Sequence, residues 1–341
     1  MADRFSLRTY ALFILALLAA MLLCVCVGSV SVAPKDTLTA IFCALLGKPA
    51  PAGVAKNIIV NVRLPRVMNV ALVGASLSLC GAAMQGLLKN PLADGSTLGV
   101  SSGASLGAVI SIAFGITLPG IPLAGTMSMA MLFAFLSLVV ILGLAYRLDG
   151  SLSTGTIILI GVIYSMFVSS VLSLVITFAP DKVQSITFWT MGSLAGRGYV
   201  HVLVLLGALV VFGGVLFGCA RELNAFAVGE DNARHIGVNV RRVKLTVMIA
   251  VSALIGVCVS VGGTIGFVGL VTPHMVRLIT GPNHRRLLPA SAFGGAIFLM
   301  LCDLLARTLF EPRELPVGVV TSFIGSILFV VIFIRTRRGE K

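Results

Sequence analysis

Asp303 and Arg307 stand four residues apart inside an apolar run, and that run is the one place where a carboxylate interrupts a membrane-length stretch. On a helix this spacing puts both groups on one face. A carboxylate in a bilayer can relay a proton or an ion; beside a cation one turn away it can instead neutralise a helix end. The matched partner favours the second role. A proton-coupled carrier needs a chain of such groups, and of the twelve acidic residues almost all except Asp303 lie in loops or at run ends. The histidines, His201, His235, His274 and His284, show no ligand spacing, so no metal ligands are assigned. No H-E-x-x-H, G-x-S-x-G or Walker A pattern occurs. No catalytic residue is assigned, and the chain is not expected to hydrolyse nucleotide itself. The seven cysteines include no C-x-x-C pair and mostly lie in apolar runs, where they act as small hydrophobes.

The longest polar interruption is Arg221–Lys244, RELNAFAVGEDNARHIGVNVRRVK. Leu223–Val228 and Glu230–Ile236 read as two short helices hinged at Gly229. Glu230 and Asp231 occupy the first turn of the second, where the helix dipole favours acids. Gly237 sits just past its end, a C-cap position. A simple polar connector would not need this capping pattern. The pair reads as a stiff lever at a membrane surface, suited to a soluble partner.

The surrounding elements must hold that lever. The chain has 341 residues, 58% hydrophobic and 11% charged, far below the charge content of a soluble domain. Ten candidate spans follow: Tyr10–Ala33, Leu64–Leu88, Ser96–Ile116, Pro122–Tyr146, Thr154–Phe178, Tyr199–Ala220, Leu245–Val261, Thr264–Ile279, Leu288–Leu309 and Val317–Ile334. The eighth carries Pro273, His274 and Arg277. The first is too long for a cleaved signal h-region and reads as a retained helix. The fold class is an all-α polytopic membrane protein, one transmembrane domain over 1–341 with no soluble domain attached. With cytoplasmic termini, the cytoplasmic side holds sixteen of the 25 Lys and Arg residues, which supports that orientation and a cytoplasmic Arg221–Lys244 segment. The same bias explains the net charge of +13 without nucleic acid, since no aromatic-interleaved basic face appears. On the outer side, Pro34–Val62 contains the turn-rich Gly47–Pro51, and Ala179–Gly198 carries the sole tryptophan, Trp189, placed as an interfacial anchor. Gly95, Gly99, Gly103 and Gly107 lay a small-residue stripe on the third span, a packing device.

Several motifs now resemble one family in order along the chain. They are Arg63-Leu64-Pro65-Arg66; Gly81 to Gly86 with Gln85, then Asn90-Pro91-Leu92-Ala93; and Leu98 to Ala104. Then come Phe188 to Leu194, the Leu223–Val240 segment, Gly266 to Arg277, Asp303 to Arg307 and Glu314 to Thr321. Together they resemble the FecCD-type permeases, the membrane subunits of bacterial ABC importers for iron–siderophore complexes, haem and cobalamin. The Asp94-Gly95 pair departs from the family pattern, where many members carry a proline.

The resemblance implies a type II ABC importer permease fold of about ten helices in the cytoplasmic (inner) membrane, both termini cytoplasmic. It implies a homodimer, or a pairing with a paralogue. It also implies two ABC ATPase subunits below and an extracytoplasmic substrate-binding protein above. The chain itself would carry no cofactor; ATP and Mg²⁺ would sit on the ATPases. The ATPase contact would be made by Leu223, Asn224, Ala225, Ala227, Gly229, Glu230, Ala233, Ile236, Gly237 and Val238. Arg63, Arg66 and Arg307 would receive acidic residues of the binding protein, as exposed arginines do. Asn90, Leu92, Ser153 and Thr154 would lie near the cytoplasmic gate. Ferric siderophore is the substrate class the family first suggests, with haem and cobalamin as alternatives. An ion-coupled carrier using Asp303 is the competing class.

Overall fold

A computed structural model describes residues 5–28, 58–117, 124–150 and 152–339, with the single positions 35 and 39. The Gly47–Pro51 break lies outside the described residues. Every regular element among the described residues is helical. In chain order the first are α1 (Leu7–Cys26), α2 (Leu64–Leu88, entered through the π turn Ile58–Arg63) and α3 (Val100–Phe114). Next are α4 (Ala124–Leu148), α5 (Thr154–Thr177), α6 (Val183–Thr190) and α7 (Tyr199–Gly218). Two short helices follow, α8 (Ala220–Val228) and α9 (Glu230–His235). The chain closes with α10 (Val240–Gly262), α11 (Val268–Thr280), α12 (His284–Thr308) and α13 (Val317–Gly339).

Among the described residues, seven helices are long and apolar enough to cross a membrane: α1, α2 with its π turn, α4, α5, α7, α10 and α12. Two of the other three expected spans hold helices that fall short. The third is interrupted: Gly95–Leu98 is a 3₁₀ turn, Gly99 turns left-handed, and α3 has 15 residues. The eighth is α11, 13 residues around Pro273 and Arg277. The tenth is α13, a 23-residue helix whose apolar run in the sequence extends from Val317 to Ile334. Half-length helices survive in a bilayer when protein buries their ends.

The core is organised around α2, whose residues are nearly all buried. α12 lies along it, with α11, α10, α7 and α1 around them. Small residues permit this. A Cβ on Gly81 would stand 1.8 Å from the Gly269 carbonyl oxygen of α11, and one on Gly74 would stand 2.3 Å from the Gly295 oxygen of α12. Lipid offers helices no hydrophobic drive to associate, so close backbone approach supplies the packing. The stripe expected on the third span divides accordingly. Gly103 and Gly107 meet α4 at Ser137 and Met129, while Gly99 serves as the N-cap of α3. Gly81→Leu should therefore prevent assembly of the core, because α2 and α11 must part to admit it. Overpacking alone costs roughly 1–3 kcal/mol. The expected result is loss of the monodisperse peak in detergent chromatography; a wild-type yield and profile would contradict the close contact.

Trp189 lies on α6 and is part-buried against the core instead of standing free as an anchor. By contrast many apolar side chains of α1, α4, α5 and α7 are exposed. That pattern suits lipid or a second copy, not water.

Candidate functional site

The residues singled out above gather at two ends of the bundle. At one end the C-terminus of α2 and the N-termini of α5, α10 and α12 surround the α8–α9 pair. The two short helices expected in Arg221–Lys244 are present. Gly229 joins them at φ +140°, a conformation that L side chains rarely adopt. Glu230 and Asp231 fill the first turn of α9, and Arg234 and His235 the last. Its end is closed as the sequence suggests: Gly237, at φ +87°, donates its N–H to Arg234 O (3.0 Å), and Val238 donates to Ala233 O (3.0 Å).

Burial divides this segment into a root and a face. Leu223, Phe226 and Ala233 are buried, with Ala225 and Val238 packed partly against the core. Ala227 and Gly237 are exposed. Val228 and Ile236 are each 72% exposed, although both are apolar.

Two polar attachments hold the root. Asn224 faces inward to α12. Its Nδ2 donates to Asn283 Oδ1 (2.9 Å), and its Oδ1 accepts from the His284 backbone N–H (2.8 Å) and lies 2.9 Å from His284 Nδ1. Asn283 is itself the N-cap of α12. Glu230 faces α10 and α5. Its carboxylate lies 2.7 Å from the ammonium of Lys244 and accepts from Thr154 Oγ1 at 3.4 Å. Of the ten residues assigned to partner contact, Asn224 and Glu230 are thus used inside the chain.

The four gate candidates occupy separate turns beside the segment, and Thr154 bonds it directly. Ser153 is the N-cap of α5, accepting from Thr156 N, while its own N–H donates to Asp149 Oδ2 (3.0 Å). Thr154 touches Glu230. Asn90 forms a tight turn, its Oδ1 accepting from Leu92 N (2.9 Å), and Leu92 is exposed. Just before this turn, Lys89 sets its Nζ 3.6 Å from where a Gly229 Cβ would stand. At the Asp94-Gly95 departure, Asp94 Oδ1 accepts from Gly95 N (2.6 Å) and packs at Gly269 of α11. Between α3, α5, α6 and α10 lies a cavity of about 360 Å³ with a mainly apolar lining that includes Leu172, Ile255 and Val259, interrupted by hydroxyls such as Ser101 and Thr264 and by Asp94.

The opposite end corrects one expectation. Arg63, Arg66 and Arg307 do not stand exposed; they are 5%, 8% and 3% accessible. Arg63 donates to Val25 O and Cys26 O (both 3.1 Å), and Arg307 to Cys24 O (2.9 Å). The two guanidinium groups thereby satisfy the orphan carbonyls that end α1. Arg66 bonds Asp303 (2.9 Å) and Glu314 (2.8 Å), and Arg307 bonds Asp303 at 3.1 Å. The i, i+4 pair read from the sequence is present, but Asp303 serves two arginines. Buried charges persist only when paired in this way. Glu314 is the member of the cluster that reaches solvent.

A family model for the FecCD transport family matches residues 15–335. The chain belongs to the FecCD family. It is 47% identical to an uncharacterised ABC transporter permease, YvrB of Bacillus subtilis, over 84% of this chain and 81% of that one. It is 38% identical to the cobalamin import permease BtuC of Halobacterium salinarum, over 87% and 78%. Other relatives are named for hemin, iron(3+)-hydroxamate and molybdate import. A solved structure of an inward-facing metal-chelate type ABC transporter superposes with a TM-score of 0.83 at 30% identity, covering 95% of this chain and 97% of that one. The chain is therefore a multi-pass membrane permease subunit of an ABC importer with an all-α importer fold. The transport role displaces the ion-coupled carrier reading of Asp303.

Sequence reasoning missed three features of this FecCD permease. Lys244 was counted only as a basic flanking residue, yet it is fully buried. Its pairing with Glu230 spans fourteen positions and a helix boundary, which no periodicity reveals. Asn283 before the ninth span carried a readable N-cap signal. The inward turn of Asn224 carried none.

Proposed function

We propose that this permease moves a ferric siderophore or related metal chelate across the cytoplasmic membrane by alternating access. Both termini and the α8–α9 pair are on the cytoplasmic side. Two permease copies form the pathway, two ABC ATPases dock on the exposed face of α8–α9, and an extracytoplasmic binding protein delivers cargo at the Arg66–Glu314 end. ATP and Mg²⁺ belong to the ATPases.

The observation that carries this reading is the α8–α9 pair. It is rooted through Asn224 and Glu230, closed at its C-terminal end by Gly237, and offers two apolar side chains to solvent. A segment rooted this way transmits force instead of absorbing it, and ATP-driven closure of a docked partner then biases a two-state element. The exposed apolar side of α5, including Leu159, Ile163, Met166 and Phe167, suits a face shared with a second copy. Relatives named for iron(3+)-hydroxamate, hemin and cobalamin support a bulky complex, and the hemin and cobalamin names make those two cargoes the second reading.

The test is affinity purification from the native membrane, with co-purifying proteins identified by mass spectrometry. A Walker-motif ATPase and a binding protein are expected. Loading that binding protein with ⁵⁵Fe-hydroxamate, hemin or cobalamin identifies the cargo. Reproducible recovery of the chain alone, with ATP-independent transport in liposomes, would refute the proposal.

A further inference from the structure

Lys244 is fully buried, yet it carries an ammonium group. Its Nζ lies 2.7 Å from Glu230 Oε1 and 2.8 Å from Oε2, and it donates to Leu152 O at 2.8 Å. An ammonium has three donors, and these three acceptors engage it completely. The acceptors belong to different pieces of the chain. Glu230 opens α9, and Leu152 ends the loop that leads into α5. Leu152 is itself buried and held at φ +53°, an uncommon conformation for a branched side chain. Thr154, in the first turn of α5, adds a second link by donating to Glu230.

Packing alone does not require a charge here. Burying an ammonium costs several kcal/mol of desolvation, and well-packed apolar replacements are often equally stable. A charged joint instead fixes geometry: three directional bonds hold α9, α10 and the entry to α5 in one arrangement. Further along, α5 packs on α3 and α4, with Ser165 bonded to Ser102 and Tyr164 to Ser137, so the joint is what ties its first turn to α9.

We infer that Lys244 is a positioning residue for transport, the joint that makes α9 and the start of α5 move as one piece. The inference rests on the proposed docking of ATPases on α8–α9. It adds a named connection from that docking site to a gate loop, through a residue outside both.

The experiment uses the complex co-purified with its ATPase, in nanodiscs. Spin labels go on the exposed positions Asp231→Cys and Gly155→Cys, with the native cysteines replaced. Distances are measured by pulsed electron resonance without nucleotide and with ATP and vanadate. In the wild-type joint the intrachain 231–155 distance should stay fixed between the two states. With Lys244→Met it should shift or broaden by more than ~2 Å, the scale of helix displacements at switching interfaces. Lys244→Arg, which keeps the donors, should restore most of the fixed distance. A lysine that only stabilises the fold would lower the melting temperature without freeing this distance, and that result overturns the inference. So does a wild-type intrachain distance that itself changes with nucleotide, which keeps the test decisive if Lys244→Met fails to fold. Absence of any co-purifying ATPase appears before labelling and marks failure of the underlying functional reading, which takes this inference with it.

Discussion

Replacing Val228 and Ile236 together by aspartate should abolish co-purification of the ATPase while leaving the permease folded in the membrane. Both side chains are 72% exposed, so their loss leaves no cavity. Surface substitutions of this kind change stability by about 0.5 kcal/mol or less. At an interface the same two positions carry far more. Truncating a central apolar anchor typically costs about 2 kcal/mol or more, and each ~1.4 kcal/mol is a factor of ten in affinity. Two such losses predict a weakening of roughly a thousandfold, before counting the burial of two unpaired carboxylates. The control is Leu223→Asp, which buries a charge at the root of α8 and should reduce yield of the permease itself. A double aspartate variant that retains its ATPase at wild-type stoichiometry would move the docking face elsewhere.

Asp303→Asn should be the most destabilising single polar change in the chain. The carboxylate is buried and bonded by Arg66 and Arg307, and Arg307 in turn caps α1 through Cys24 O. Removing the one negative charge shared by two buried cations leaves both under-compensated. Breaking a buried pair costs ~3–5 kcal/mol. Thermal unfolding in detergent should show a fall in midpoint well beyond that of a surface control such as Asp231→Asn. Glu314 remains for Arg66, so Arg307 should suffer most, and α1 should loosen first. A midpoint equal to the control would mean that Asp303 is not the keystone of this end.

Much of this was legible in the residues. The two short helices, the Gly229 hinge and the Gly237 cap follow from local chemistry, in which each signal lies within a few positions of its effect. The Asp303–Arg307 pair was readable for the same reason. Family motifs carried the importer class. What failed to show was every contact that depends on which helix lies beside which. Arg66 reaches Asp303 across 237 positions, and Asn224 reaches Asn283 across 59. The arginines therefore looked like outward cations when they are buried acceptor-seekers, because nothing local reveals that α1 ends against them. Span lengths were less legible. Ser96–Ile116 and Thr264–Ile279 read as membrane-length runs, but left-handed Gly99 and Gly115 bound the first helix at Val100–Phe114, and Phe267 and Gly281 bound the second at Val268–Thr280.

The glycine contacts of α2 have a mechanical consequence. Backbone pressed against backbone on two sides leaves α2, α11 and α12 little room to tilt or slide, so they form the stationary part of the molecule. α5 is approached less closely, a Gly99 Cβ standing 3.1 Å from the Gly161 oxygen, so it is the part with more room to swing. The α8–α9 pair touches both. It stands on the stationary part at Asn224 and Asn283, and it grips the swinging part at Glu230 and Thr154. Asn224 is then a fulcrum and Thr154 the load, with the push applied at Val228 and Ile236. On such a device, shifting the fulcrum changes how far the load travels without changing how hard the partner pushes.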